Sequence, residues 1–224
     1  SVGRIVADLY QILTEKNNLC KVAYGRKNIS DIPKSDLIAI GTKNDVYRHF
    51  FMSKITDKTG FYSKHATIKF IKKIDEFQPD IIHMHGNYGY YINVEVLFNY
   101  LKEKNTPVIN TLHSCWDFTG HCTYFDEIDC NKWKTGCSNC PQKRRYPDSF
   151  VKDNSRWNYN RKRELFTSID NMNIVTPSYW LANLVKDSFL NKYPIKVIHN
   201  GIDLSIFKPV KTEFRKIYHL ENKI

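Results

Sequence analysis

Residues 79–102 read PDIIHMHGNYGYYINVEVLFNYLK, and two periodicities follow one another within them. Ile82 and Met84 alternate with His83 and His85, the period of two that belongs to a β-strand and that sends both histidines to one face. Beyond Gly86 the period changes, and Val94, Leu97, Phe98 and Leu101 recur at helical spacing. Strand, glycine turn and helix in that order make half of a βαβ unit, and such units build a parallel sheet covered by helices.

The alternation continues on both sides. Short runs rich in Ile and Val at 20–25, 36–41, 106–113, 172–178 and 195–201 predict five more strands, ending at Gly, His, Ser or Asn. Helical spacing recurs at Val6, Leu9, Tyr10 and Leu13, and again at Ile68, Ile71, Ile74 and Phe77. A further helix is expected in SYWLANLVKDSFL, with Ser178 as its N-cap. The predicted fold class is therefore α/β, a Rossmann-like, doubly wound parallel sheet. In such sheets ligands bind beyond the carboxyl ends of the strands, which points to Gly25, His85, His113, Ser178 and Asn200. The first helix opens directly on Ser1-Val2-Gly3-Arg4, so the pattern predicts another strand upstream of it. Residues 114–148 form a long excursion of the kind that is functional or braced.

Composition bounds the class. The chain has 224 residues, 42% of them hydrophobic, enough for a full core. It contains no apolar run near the roughly 20 residues that span a bilayer, and its charged start is unlike a signal peptide. Both features point to the cytoplasm. The net charge is +11, and the stretch from Lys132 to Arg163 holds ten basic residues against Asp148 and Asp153. Such a stretch either attracts phosphates, of nucleic acid, nucleotide or lipid, or is an ordinary solvated face.

Five segments together carry a resemblance: residues 79–102, PVINTLHSCWDFTGHC (107–122), KWKTGCSNCPQ (132–142), IVTPSYWLANLVKDSFL (174–190) and VIHNGIDLSIFKP (197–209). The chain resembles the N-terminal domain of retaining GT-B glycosyltransferases, in the group-1, family-four branch that builds bacterial exopolysaccharide of the colanic-acid type. The resemblance implies an acceptor-side Rossmann-like domain over 1–205, truncated at its start, and a linker over 206–224 leading to a second, donor-binding domain. It implies transfer of a sugar from a nucleotide-sugar donor to a saccharide or lipid-linked acceptor, without a catalytic metal, and inactivity of this stretch alone.

An imidazole at a strand end, as at His113, is either structural or a donor and base for a ligand; the resemblance places it against the donor sugar. Relatives often carry Asp after this histidine, where this chain has Ser114. His83 is expected to be a hydrogen-bonded core histidine. His85, Asn87 and Tyr90 are candidates for acceptor binding, with Tyr88 and Tyr91 as further stacking surfaces or helix-start packing. Gly3 and Arg4 open the first helix, where backbone N–H groups and a guanidinium meet phosphate. Asn200-Gly201 is expected to be a turn, since both residues tolerate positive φ, and by resemblance a hinge.

Cys122, Cys130, Cys137 and Cys140 hold one Cys-x-x-Cys pair and two further thiols within reach. Structural zinc, packing thiols and a redox pair are the available readings, with zinc leading. The cysteines beside a basic stretch with Trp133, Tyr146 and Trp157 also raise an alternative, a zinc-braced nucleic-acid-binding module. It lacks any second chelating pair, and no nucleic acid is expected as partner. Peripheral contact with an anionic membrane is expected instead, with Trp133, Phe150 and Trp157 as interfacial anchors.

Overall fold

A computed structural model of the chain describes residues 2–26, 31–210 and 212–223. Strands stand where the alternation puts them: β1 (Val22–Tyr24), β2 (Leu37–Ala39), β3 (Ile82–His85), β4 (Val108–Thr111), β5 (Met172–Thr176) and β6 (Ile195–Val197). Every pairing is parallel, β1 with β2, and β3-β4-β5-β6 in sequence order. Among the described residues no ladder joins the two groups, so the expected sheet is divided into a pair and a four-stranded unit. Tyr91 bridges them. Its hydroxyl donates to the Gly86 carbonyl at 2.7 Å beyond β3, and its ring lies where a Cβ on Gly25, beyond β1, would come within 2.0 Å. Gly25 is therefore a close-approach glycine.

The helices are α1 (Val2–Glu15), α2 (Lys43–Thr56), α3 (Lys64–Phe77), α4 (Val94–Lys104), the one-turn α5 (Lys132–Thr135), α6 (Ser155–Phe166), α7 (Tyr179–Lys186) and the one-turn α8 (Phe214–Ile217). In α4 the predicted apolar stripe, Val94, Leu97, Phe98 and Leu101, is the buried face, and Asn93 caps the helix by accepting from the Val96 N–H at 2.9 Å. Ser178 caps α7 as expected, accepting from the Leu181 N–H at 3.2 Å. The α4 stripe packs with Val108, Leu112, Met172 and Ile174 of the sheet, and Phe98 stacks on Phe166 of α6 at 4.1 Å. Each such fully buried side chain contributes about 1.5–3 kcal/mol.

Two long helices had no apolar stripe to announce them. The buried residues of α2 are His49 and Ser53, and those of α6 include Ser155, Asn158 and Lys162. For α2 one signal was present: Thr42 and Asp45 form a capping box, the Ser/Thr-x-x-acid pattern of a helix start.

The excursion after β4 is braced, as expected, by an aromatic core of its own. Phe118, Phe125 and Trp133 are buried together, with Phe125 and Trp133 stacked at 4.9 Å. This corrects the membrane-anchor expectation for Trp133, whose ring is inside the loop. Past β6, Asn200 and Gly201 do not adopt positive φ, so the expected left-handed turn is not formed.

Candidate active site

Parallel register places the histidines side by side. His85 is opposite Thr111, and His113 lies two residues further on, past the carboxyl end of β4. His85 Nδ1 and His113 Nε2 are 3.0 Å apart, with the rings nearly parallel at 5.3 Å between centroids. His83 follows on the same face, its ring 4.2 Å from that of His85 and its Nε2 2.8 Å from Thr111 Oγ1. It is hydrogen-bonded, as expected, yet it sits on the open face and not in the core, because Met84 takes the buried side of β3. Space lies open over Gly86, where an added Cβ would meet nothing within 4 Å.

Burial, and then the neighbouring His83 and His113, push His85 down to about 3; burial also lowers His113 and His83. Near neutral pH the pair is therefore uncharged, and each ring carries one N–H. One ring must donate across the shared bond and the other accept. Neither His85 Nε2 nor His113 Nδ1 has a hydrogen-bond partner among the described residues. Whichever tautomer holds, these two nitrogens offer one donor and one acceptor. A sugar hydroxyl, itself donor and acceptor, matches that pair of groups.

Ser114 does not orient His113. Its Oγ accepts from the Trp116 N–H at 3.4 Å and meets the Tyr88 hydroxyl, organising the start of the loop. The imidazole is held from the other strand, by His85, and the Tyr124 hydroxyl donates to the His113 carbonyl at 3.0 Å.

Asn87 and Tyr90, both candidates for acceptor binding, point inward. Asn87 is 4% exposed and its Nδ2 donates to Asp117 Oδ1 at 2.9 Å and Asn110 Oδ1 at 3.3 Å. Tyr90 is 3% exposed, its φ is 68°, and its ring packs edge-on against His49, Phe50 and Tyr146. Residue type suggested sugar contacts, but the polar partners that bury Asn87 lie 23 and 30 positions away and left no local mark. Asp117 and Lys162, missed in the sequence, are buried nearby, Asp117 accepting from Asn87 and Asn110. Asp117 is fully buried, which raises its pKa, and Lys162 Nζ donates to the Trp116 carbonyl and lies 3.9 Å from the centre of the Trp116 ring.

Gly3 and Arg4 lie in the first turn of α1. Arg4 is exposed, bonded to Asp8 at 2.9 Å, and its charge reaches Asp203 in the stretch after β6. Arg4 also lines a hollow of about 200 Å³ with Tyr10, Gln11 and Thr14. A larger groove of about 540 Å³, between β2 and α3, contains none of the three sheet histidines. The exposed Arg26, at the end of β1, carries a positive charge beside Tyr90, Tyr91 and Tyr146. Its place at a strand end was the signal that could have found it.

The cysteines are neighbours but not a finished cage. All six are free, and among the described residues no three His, Cys, Asp or Glu side chains are gathered to hold a metal ion. Much of the basic stretch is engaged internally: Lys134 with Asp187, Arg145 with Glu127, Arg161 with Glu95 and Glu164, and Lys162 in the core.

Against known proteins, the family description Glycosyltransferase Family 4 matches residues 24–206, which include β2 to β6 and both histidine-bearing strand ends. The putative colanic acid biosynthesis glycosyl transferase WcaC of Escherichia coli (strain K12) is 31% identical over 137 residues. That match takes in 57% of this chain and 32% of the relative, so the chain spans only part of that protein's length. No solved structure matches. With the family description covering most of the chain and a parallel α/β fold beneath it, the chain belongs to glycosyltransferase family 4.

Proposed function

We propose that this chain is the acceptor-side half of a retaining GT-B glycosyltransferase of bacterial surface-polysaccharide synthesis. It works with a second, donor-binding domain and transfers a sugar from a nucleotide-sugar to a saccharide or lipid-linked acceptor. The observation that carries this reading is the neutral His85–His113 pair at adjacent strand ends, inside the family-matched region. The pair's outward donor and acceptor hold a hydroxyl of the donor sugar, which orients the anomeric carbon toward the acceptor. As the bond to the diphosphate breaks, negative charge grows on the leaving oxygen. Helix N-termini and basic side chains, with Arg4 and Arg26 as candidates here, stabilise it electrostatically. No catalytic metal is part of this scheme.

No helix among the described residues is long and apolar enough to cross a membrane. We assign the chain to the cytoplasm, in peripheral contact with an anionic bilayer through Arg144, Lys152 and Arg156 beside the exposed Phe150 and Val151. Each such charge is worth on the order of 1 kcal/mol at an anionic surface.

The test offers nucleotide-sugars and saccharide acceptors to a protein carrying both domains and to residues 1–224 alone, with product read by mass spectrometry. Transfer by the two-domain protein and none by the shorter chain is the expected result. Turnover by residues 1–224 alone would overturn the division of labour. Binding of polynucleotide in place of nucleotide-sugar would favour the nucleic-acid module.

A further inference from the structure

Each histidine of the pair is followed closely by a member of one buried polar triangle. Asn87 comes two residues after His85 and Asp117 four residues after His113. The third member, Asn110, stands in β4 opposite Met84 of β3 and Ile174 of β5. Asn87 Nδ2 donates to Asp117 Oδ1 at 2.9 Å and to Asn110 Oδ1 at 3.3 Å, and Asn110 Nδ2 donates to Asp117 Oδ1 at 3.4 Å. All three side chains are buried, none more than 4% exposed. Of the three, only Asn110 is fixed by strand pairing on both sides. The triangle therefore ties the segments that leave β3 and β4 to one residue of a central strand.

That tie reaches where the ladder does not. The pairing of β3 with β4 ends at His85 and Thr111, two residues short of His113, so no rung of it sets the separation of the two imidazoles. Their contact is 3.0 Å, and a parting of about 1 Å would put it beyond hydrogen-bond reach. Burial works against the charge on Asp117. The two amides donate to it, and Lys162 of α6, whose Nζ donates to the neighbouring Trp116 carbonyl, supplies a buried counter-charge. A buried carboxylate with its donors in place specifies one arrangement and adds little net stability. At 2% exposure Asp117 does not itself meet a substrate.

We propose that Asp117 is a positioning residue of the histidine pair. Acting through Asn87 and Asn110, it holds the exits of β3 and β4 at the separation that lets His85 Nδ1 and His113 Nε2 share a hydrogen bond. The role rests on the reading of that pair as the sugar-hydroxyl site. While the bond stands, the tautomers of the two rings are locked together, and the two remaining nitrogens offer one donor and one acceptor. Once it is lost, each ring exchanges tautomers and takes up protons independently, and the matched pair of groups is gone. An error of about 1 Å in such a site costs on the order of 10²-fold in rate.

Three variants separate this role from plain packing. Asp117→Ala removes the acceptor of both amides, and Asp117→Asn keeps an oxygen in its place. Asn87→Ala cuts the link to the β3 exit and leaves Asp117 and Lys162 as they are. Nitrogen NMR spectra of the histidine rings in the full chain should show a shared bond between His85 and His113 in the parent and in Asp117→Asn. In Asp117→Ala and Asn87→Ala that bond should vanish, and both rings should titrate about one pH unit or more higher. In a two-domain protein the same two variants should lose about 10²-fold in kcat, and Asp117→Asn less than about 10-fold. Parent-like ring spectra in folded Asn87→Ala would overturn the proposal, as would equal loss of the shared bond in Asp117→Asn and Asp117→Ala. If Asp117→Ala does not fold, Asn87→Ala decides alone. The spectra need no sugar, so a two-domain protein that transferred none would overturn the reading of the pair and not the positioning of its rings.

Discussion

The shelf at the ends of β3 and β4 and the polar hub around Asp57 both turn on histidines, yet they are opposites. On the shelf His85 and His113 are half-buried, uncharged, and bonded to each other, with one nitrogen on each left without a partner among the described residues. In the hub Asp57 is buried and fully engaged. One carboxylate oxygen accepts from His121 Nδ1, the other from the Asn154 N–H at 2.9 Å, and its carbonyl accepts from Asn158 Nδ2. His121 Nε2 donates in turn to the Arg145 carbonyl at 3.2 Å. Burial works against charge on His121, but the Asp57 carboxylate outweighs it and the pKa is raised. Saturated partners on all sides mark a joint that ties α2, the loop and α6 together. Unfilled nitrogens on a neutral pair mark a place where something else binds. Residue type does not separate the two; the inventory of partners does.

That contrast breaks first, and hardest, at Asp57. Asp57→Ala leaves His121 buried without its counter-charge and frees the Asn154 N–H, which should cost about 3–5 kcal/mol of stability. Chemical denaturation measures it, and a loss below roughly 1 kcal/mol would mean that the hub is not a joint.

At His113 the expected damage lies in rate and not in stability. In a two-domain protein, His113→Ala should lower kcat by about 10²-fold, near 2.7 kcal/mol, with the melting temperature within a few degrees of the parent. Normal turnover would return His113 to the same structural class as His121.

His49 supplies the smallest and sharpest test. It accepts from the Gly60 N–H at Nε2, 3.1 Å away, so its proton is on Nδ1 and donates to Ser63 Oγ at 2.9 Å. Burial holds its pKa at about 3, against 6.5 unfolded. Below pH 6.5 the unfolded chain therefore binds a proton that the folded chain refuses. Stability is complete above that pH and falls on acidification, by about 1.4 kcal/mol per pH unit for each such histidine. His85, also near 3, acts in the same direction. Denaturation curves from pH 7 to pH 5 should show that slope, shallower by one proton's worth in His49→Gln. An unchanged slope would show that His49 is not held neutral by burial.

Much of the fold was legible along the chain because its signals are local. Strand and helix periods, the Ser178 cap and the glycine-closed strand ends each occupy a few consecutive residues, and all six strands followed from them. The placement of His113 beyond a strand end was legible for the same reason. Polar-faced α6 was not, since its buried residues include Ser155, Asn158 and Lys162, whose partners are Asp153, the Asp57 carbonyl and the Trp116 carbonyl, the last two far away along the chain.

The sequence by itself determined a parallel α/β chain, the period of each element, and which end of the sheet carries chemistry-bearing side chains. Tertiary structure alone decided which of those side chains remain available. Asn87 and Tyr90 were drawn inside, Trp133 became core, and His85 was set against His113 across two strands. The physical reason is that a hydrogen bond or a packed ring depends on distance in space. Register and loop folding set that distance between residues twenty-eight or more positions apart, and no local pattern records it.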